Sequence, residues 1–273
     1  MRWFLAILLL ALGVAPFAQA QSSSNSSNPT SGTTAPPPHA SKNKERHLKP
    51  FSRVGLEAGV SAMGVNLQVA TNMDRHLNLR GVGNVLGYSV NNISTHGFNV
   101  DAKLNMATAG FSVDYYPFPT HGLRLSPGML FYNQNSVSAT ALATAGASFT
   151  LNSVTYYSSA ANPVQGTASI GFNTQNPAFT LTTGWGNLIS RTGSHFSFPF
   201  EIGAAFVGSP TLNIVLPQGQ VCDAAGDNCV NVATDSTVQA NLQTQIAKYK
   251  NDLNPLQVYP ILSFGIGYNF HIR

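Results

Sequence analysis

From Arg53 onward the apolar positions recur with a period of two, the repeat of an extended strand with one apolar face. The C-terminal stretch is the clearest: Val258, Pro260, Leu262, Phe264, Ile266, Tyr268 and Phe270 share one face, and Ser263, Gly265, Gly267 and Asn269 share the other. Phe196, Phe198, Phe200, Ile202, Ala204 and Phe206 repeat the pattern against Ser197, Pro199, Glu201, Gly203 and Ala205. So many bulky apolar groups on one strand face require lipid or a protein core to cover them. Weaker copies fall at Leu123 to Phe131 and at Phe179 to Trp185.

Between Phe98 and Tyr115 the alternation changes phase: Phe98, Val100, Ala102, Leu104 and Met106 precede Phe111, Val113 and Tyr115. A bulge near Thr108 to Gly110 is expected, because one extra residue exchanges the two faces. The stretch Arg53 to Thr71 divides in the same way. Val54, Leu56, Ala58 and Val60 are in one phase, Val65, Leu67 and Val69 in the other, with Ala62-Met63-Gly64 between them as a turn. One long bulged strand is the alternative to this hairpin.

Connections choose between the two. Short ones follow Thr71, Tyr116 and Asn187, and long ones separate Asn133 from about Thr167 and Val215 from about Leu256. Transmembrane barrels have short periplasmic turns and long outer loops, and bacterial ones have an even number of strands. The hairpin gives eight strands with both ends periplasmic; the single strand gives seven. The predicted fold is therefore all-β: a closed antiparallel up-and-down transmembrane barrel of eight strands over residues 53–273. One element departs from the period of two. Val238, Leu242, Ile246, Tyr249 and Leu253 form a helical stripe within the last long loop, predicting an amphipathic helix on the outer rim or dipping as a lid.

Composition fits a barrel. Charged residues are only 9% of the chain, mean hydropathy is +0.02, and no second apolar run reaches helix-spanning length. Interleaved lipid-facing and lumen-facing positions produce this balance. Met1 to Ala20 has Arg2, an apolar run from Trp3 to about Ala15 and an Ala18-Gln19-Ala20 site, the features of a secretory signal cleaved near Ala20. Residues 21–52 are rich in Ser, Asn, Thr and Pro and read as a disordered periplasmic tether. The net charge of +4 comes largely from Lys42 to Lys49, and carries no nucleic-acid signal. Cys222 and Cys229 are expected to form a disulfide, as export through an oxidising compartment favours; a metal site lacks further ligands nearby.

With apolar faces outward, Glu57, Asn66, Gln68, Arg80, Asp101, Lys103, Asp114, Arg124 and Glu201 point inward. Three cations and four anions nearly cancel. An eight-stranded barrel is just wide enough for side chains to fill it, so a salt-bridged interior is the first reading and a narrow pore for ions or small solutes the second. The seven histidines are dispersed, no G-x-S-x-G occurs, and Asp223, Asp227 and Asn228 lack the spacing of a calcium loop. His195 near Glu201 and His121 near Asp114 are the nearest things to a catalytic pair. No cofactor and no enzymatic activity are expected; a lipid-modifying enzyme is a further alternative.

The segments Asp114 to Phe118, Gly184 to Asn187, Phe206 to Pro210 and Tyr259 to Phe270 resemble a group of uncharacterised Gram-negative outer-membrane β-barrel proteins. They are similar in style to small barrels of the outer membrane protein A transmembrane-domain type. The resemblance implies outer-membrane lipid as surroundings, and periplasmic chaperones and the barrel-assembly machinery as partners. It also implies that the last strand, with Tyr259, Phe264, Tyr268 and Phe270, serves as the assembly signal. Here His271, Ile272 and Arg273 follow the terminal aromatic, a departure from the usual ending. The long loops are where an extracellular ligand is expected.

Overall fold

In the computed structural model, residues 49–172, 176–191 and 194–272 are described. The expected signal segment and the tether up to residue 48 lie outside them. In chain order the strands are β1 (Arg53–Ser61), β2 (Gly64–Asn72), β3 (Leu77–Thr95), β4 (Phe98–Tyr115), β5 (Arg124–Asn133), β6 (Ser136–Ala143), β7 (Ser148–Leu151) and β8 (Val154–Ser158). They continue with β9 (Gln165–Gly171), β10 (Ala178–Trp185), β11 (Phe196–Ser197), β12 (Phe200–Phe206), β13 (Thr211–Gln218), β14 (Gln220–Cys222) and β15 (Val230–Asn231). Helix α1 (Ser236–Leu253), a 3-10 turn and β16 (Val258–His271) complete the chain.

Eight strands form a ring: β1, β2, β3, β4, β5, β10, β12 and β16, which returns to β1, every pair antiparallel. The first hairpin turns at Ala62 and Met63, with Gly64 at φ 103°, a conformation open to glycine. Lys49 to Ser52, the expected end of the tether, are held in place. Phe51 N donates to Asn72 O at 2.7 Å, and Asn72 Nδ2 to Lys49 O at 2.7 Å.

β3 and β4 have 19 and 18 residues, roughly 60 Å at strand rise, while β1 and β2 have 9 each. The long pair therefore outruns the ring. Thr108 to Tyr115 of β4 pair within the ring against β5, while Phe98 to Asn105 pair with β6, and β9 and β13 extend that sheet. The two long connections, expected as loops, thus contribute three strands to a sheet above the ring. A second sheet, β15-β14-β8-β7, completes this region.

The expected bulge within β4 does not occur. The register shift lies on β5, where Ala109 faces Tyr132 and Gly110 faces Leu130, leaving Phe131 over. Even-numbered positions of β4 stay inward from Val100 to Asp114. What changes is the chemistry of that face. Leu104, Val137, Ile170 and Leu212 sit opposite one another across β4, β6, β9 and β13 and are all buried. Above the ring the inward face is apolar; within it, the inward face is polar.

The helix matches its stripe: Val238, Leu242, Ile246 and Leu253 are buried. It packs against β7 and β13 rather than across the mouth of the ring. Asn152 at the β7–β8 turn ties to it, receiving from Lys248 Nζ at 2.9 Å and donating through Nδ2 to Asn241 Oδ1 at 3.2 Å. Asp235 caps its N-terminus by accepting from Val238 N at 2.8 Å. Asp235→Ala is expected to cost about 1 kcal/mol, read as earlier proteolysis of the sheets and helix above the ring while the ring stays intact. Cys222 and Cys229 are disulfide-bonded. In the enclosed loop Asp223 accepts from Asn228 Nδ2 at 2.8 Å and from Asp227 N at 2.9 Å. The Asn228 bond, with the backbone donors, holds its carboxyl below the usual range.

Candidate functional site: the filled interior of the ring

The inward positions of the ring strands place Glu57, Asn66, Gln68, Arg80, Asp114, Arg124 and Glu201 inside, each buried. Asp101 and Lys103 are a correction. Both are exposed, on the outward face of β4 above the ring, because the strand keeps its phase. Two cations then face three carboxylates inside, rather than three facing four.

Arg80 lies at the centre. In the ring β3 and β12 are four strands apart in either direction, so the Arg80–Glu201 pair crosses the full width. Arg80 Nη1 donates to Glu201 Oε2 at 2.5 Å and to Gln68 Oε1 at 2.7 Å, and Nη2 to Glu201 Oε1 at 3.1 Å. Its Nε donates to Asp114 Oδ1 at 3.0 Å. Arg124 Nη2 donates to Glu201 Oε2 at 2.8 Å, and Thr182 Oγ1 also donates to Glu201. The planar fork of arginine suits this bidentate arrangement. A polar chain continues upward, from Gln68 Nε2 to Asn66 Oδ1, from Asn66 Nδ2 to Asn84 Oδ1, both at 2.7 Å, and from Asn84 Nδ2 to Thr108 Oγ1 at 3.0 Å.

Beside this chain is a cavity of about 30 Å³, lined by Asn66, Gln68, Asn84, Thr182 and Ser263 on one side and by Met63, Val82, Leu130 and Ile261 on the other. That is room for roughly two waters. Met63 at the first turn is buried, and Leu130, Ala178, Ala205 and Val207 cluster with Tyr259 and Ile261. Asn135 Nδ2 reaches Tyr259 OH at 3.3 Å. These side chains fill the end of the ring nearer the β1–β2 turn.

The opposite end is closed by a feature that the sequence pattern did not reveal. The segment after β10, expected as a plain short turn, folds into the ring: Leu188 and Ile189 are wholly buried with Ala70. Gly55 and Gly267 make room for it. A Cβ on Gly267 would lie 2.4 Å from Leu188 Cδ1, and one on Gly55 2.7 Å from Leu188 Cγ. Arg53 Nη1 donates to Ser190 O at 2.5 Å, and Asn269 Nδ2 to Ser194 O and His195 O at 2.9 and 3.0 Å. The available signal was the Leu188-Ile189 pair itself, apolar within an otherwise polar turn. Gly267→Val is expected to expel Leu188 and cost about 1 to 3 kcal/mol by overpacking. Faster protease cleavage near Arg191 than in the parent protein would report it.

His195 stacks on Tyr268 with ring centroids 5.7 Å apart, and its Nδ1 is 2.9 Å from Asn269 O. His121 packs edge-on against Phe118 at 6.0 Å. Among the described residues no group of His, Cys, Asp and Glu is arranged to hold a metal.

Outside, the ring carries Leu56, Leu67, Phe111, Leu125, Phe179, Trp185, Ile202, Phe264 and Ile266 in the open. Among the described residues, no outward position is charged within the ring, which for β4 means Thr108 to Tyr115. The class is thus an eight-stranded antiparallel ring, apolar outside and charged within, with its sheet prolonged at one end. No family model and no curated protein sequence matches the chain. Two crystal structures are similar in fold. CarO of Acinetobacter baumannii has a TM-score of 0.53 and 18% identity, covering 81% of this chain and 98% of that one. CarO2 of the same organism has a TM-score of 0.54 and 17% identity, covering 82% and 100%.

Proposed function

We propose that the chain is an integral outer-membrane β-barrel whose filled interior makes it a rigid stalk for an extracellular sheet, where partners or ligands meet the cell surface. The observation that carries this is the reversal of polarity along β4. Within the ring its outward residues are Phe111, Val113 and Tyr115 and its inward ones Ser112 and Asp114; above the ring Asp101 and Lys103 are outward and Leu104 and Met106 inward. A strand that is apolar outside in one half and polar outside in the other suits lipid followed by water. β1, β2 and β5, with 9, 9 and 10 residues, match the ~9 to 11 that a tilted span requires, while β10 and β12 are shorter, with 8 and 7.

In this reading both chain ends are periplasmic. The outward aromatics Phe264, Tyr268 and Phe270, with inward-parity Tyr259, make β16 the strand read by the assembly machinery. Heat-modifiable migration and recovery in the outer-membrane fraction are the expected results. A freely soluble product would end the reading.

A narrow channel is the second reading, favoured by the cavity beside the polar chain and by buried Glu57 Oε2, Asp114 Oδ2 and Arg124 Nε, which have no hydrogen-bond partner. Planar-bilayer recording separates the two: a silent bilayer supports the filled stalk, and discrete conductance altered in Arg124→Gln supports the channel.

A further inference from the structure

We propose that the part of β3 above the ring is a docking edge for another polypeptide, which adds an extended segment of alternating apolar and polar residues as a further antiparallel strand. Such a segment is the kind of partner that the sheet of the stalk reading would meet, and only its place outside the cell rests on that reading.

β3 pairs with β4 from Leu77 to Thr95, but with β2 only from Asn78 to Val85, because β2 begins at Gly64, just after the turn from β1. Above Val85, among the described residues, no strand pairs with β3 on the β2 side. An edge of this kind presents backbone N–H and C=O groups without ladder partners, a template for one more strand. Side-chain cover stops on the same line. Tyr88, Leu104, Val137, Ile170 and Leu212 face one another across β3, β4, β6, β9 and β13. The last four are buried, whereas Tyr88, at the edge, is 61% exposed. Ser89, next to Tyr88, lies opposite Lys103 on the outward, polar face. An added strand would continue above the turn the place that β2 holds below it. Its backbone would complete the ladder, and an apolar side chain opposite Tyr88 would form a stabilising cross-strand pair.

The sheet's other edge, β13, is protected: α1 packs against it, and Pro217 near its end removes a donor. Leu86 to Val90 of β3 contains no proline and no charge. Further up, the ladder is irregular between Val90 and Ile93, where Asn92 N donates to Asp101 Oδ1 at 2.8 Å. The open stretch, Leu86 to Val90, has the length of an ordinary short strand. A second copy of the chain fits this edge poorly. Two copies inserted the same way are related by a two-fold axis along the membrane normal, roughly parallel to the strands, and that rotation exchanges the faces of the sheet. Polar outward residues would then stand beside Tyr88.

The test uses the full chain folded in maltoside micelles and a fluorescent synthetic peptide that alternates threonine and valine over about eight residues. N-methylation at every second residue lets the peptide pair through one edge only and keeps it from stacking on itself. Saturable binding by fluorescence anisotropy is expected, with hydrogen exchange slowed within Leu86 to Thr95. The same peptide methylated at every residue, which has no amide donor, is expected not to bind. Tyr88→Lys sets a charge on the inward side of the edge and is expected to weaken binding by about tenfold. Ser169→Lys, exposed on the interior strand β9, is expected to leave it unchanged. Heat-modifiable migration shows that each variant is folded. Absence of binding overturns the docking edge, as do equal binding of the fully methylated peptide, undiminished binding in folded Tyr88→Lys, and slowed exchange confined to β13. Exchange that slows with rising protein concentration and no peptide would assign the edge to a second copy and overturn it too. Peptide binding in micelles does not depend on cellular location, so the edge can fail while the outer-membrane reading stands, and the reverse.

Discussion

Glu201→Gln is expected to lower the unfolding free energy by about 3 to 5 kcal/mol. Glu201 receives from Arg80 at 2.5 Å and from Arg124 at 2.8 Å, and all three are almost fully buried. Removing the carboxylate charge leaves Arg124 without its ion-pair partner and Arg80 with Asp114 alone, in a water-poor interior. An uncompensated buried charge is what makes breaking such a pair expensive, more than the attraction that is lost. Denaturant unfolding of the protein in micelles, followed by Trp185 fluorescence, measures the loss. Adding Arg124→Met to Glu201→Gln removes the stranded charge and should recover part of the stability, because the two residues are in contact and their effects are not additive. A loss below about 1 kcal/mol in Glu201→Gln, typical of exposed pairs, would show that water reaches the pair and would favour a hydrated lumen.

Phe264→Arg is expected to cost about 2 to 4 kcal/mol in a bilayer, the range for a basic residue on the lipid face near the midplane. Phe264 lies mid-way along β16, opposite Val60 on β1 and Phe200 on β12, and is 53% exposed. In a water-soluble ring the same change would remove an apolar group from solvent and cost little. The control is Ser138→Arg on the exposed face of β6, beside Lys103, where a change of less than about 0.5 kcal/mol is expected. Refolding yield into vesicles gives the comparison. Equal effects at the two positions would remove the case for lipid around the ring.

Much of the ring was legible because a one-sided strand writes itself as alternation. β12 and β16 were readable for that reason, and the split of Arg53 to Thr71 into β1 and β2 followed from a parity argument about both chain ends. The inward placement of Arg80, Asp114, Arg124 and Glu201 came with it, since on a strand the face of one residue sets the face of its neighbours. The helical stripe from Val238 to Leu253 was equally plain.

What was not legible was anything that depends on partners distant in sequence. Alternation cannot tell a bulge from a change of surroundings, and this misplaced Asp101 and Lys103. The phase switch near Thr108 was real, but the backbone runs straight through it; what switches is whether the outward face is apolar or polar. The strands β6 and β9 were missed because their faces are small and weakly contrasted, Ser138, Ala139 and Thr140 being typical. The inward fold of Leu188 was missed because its pocket is made by glycines, Gly55 and Gly267, whose meaning lies in what approaches them.

By itself the sequence determined strand identity, facing and parity: which side of each ring strand is apolar, that charges lie within, and that the cysteines form a bond. Those are local properties, set by the two-residue repeat and by spacing. Only the tertiary structure decided that Arg80 meets Glu201 across the ring, that β4 serves two sheets, and that side chains fill both ends of the ring. These depend on register and closure between segments more than a hundred residues apart, as Arg80 and Glu201 are, and no local pattern encodes which distant side chain arrives.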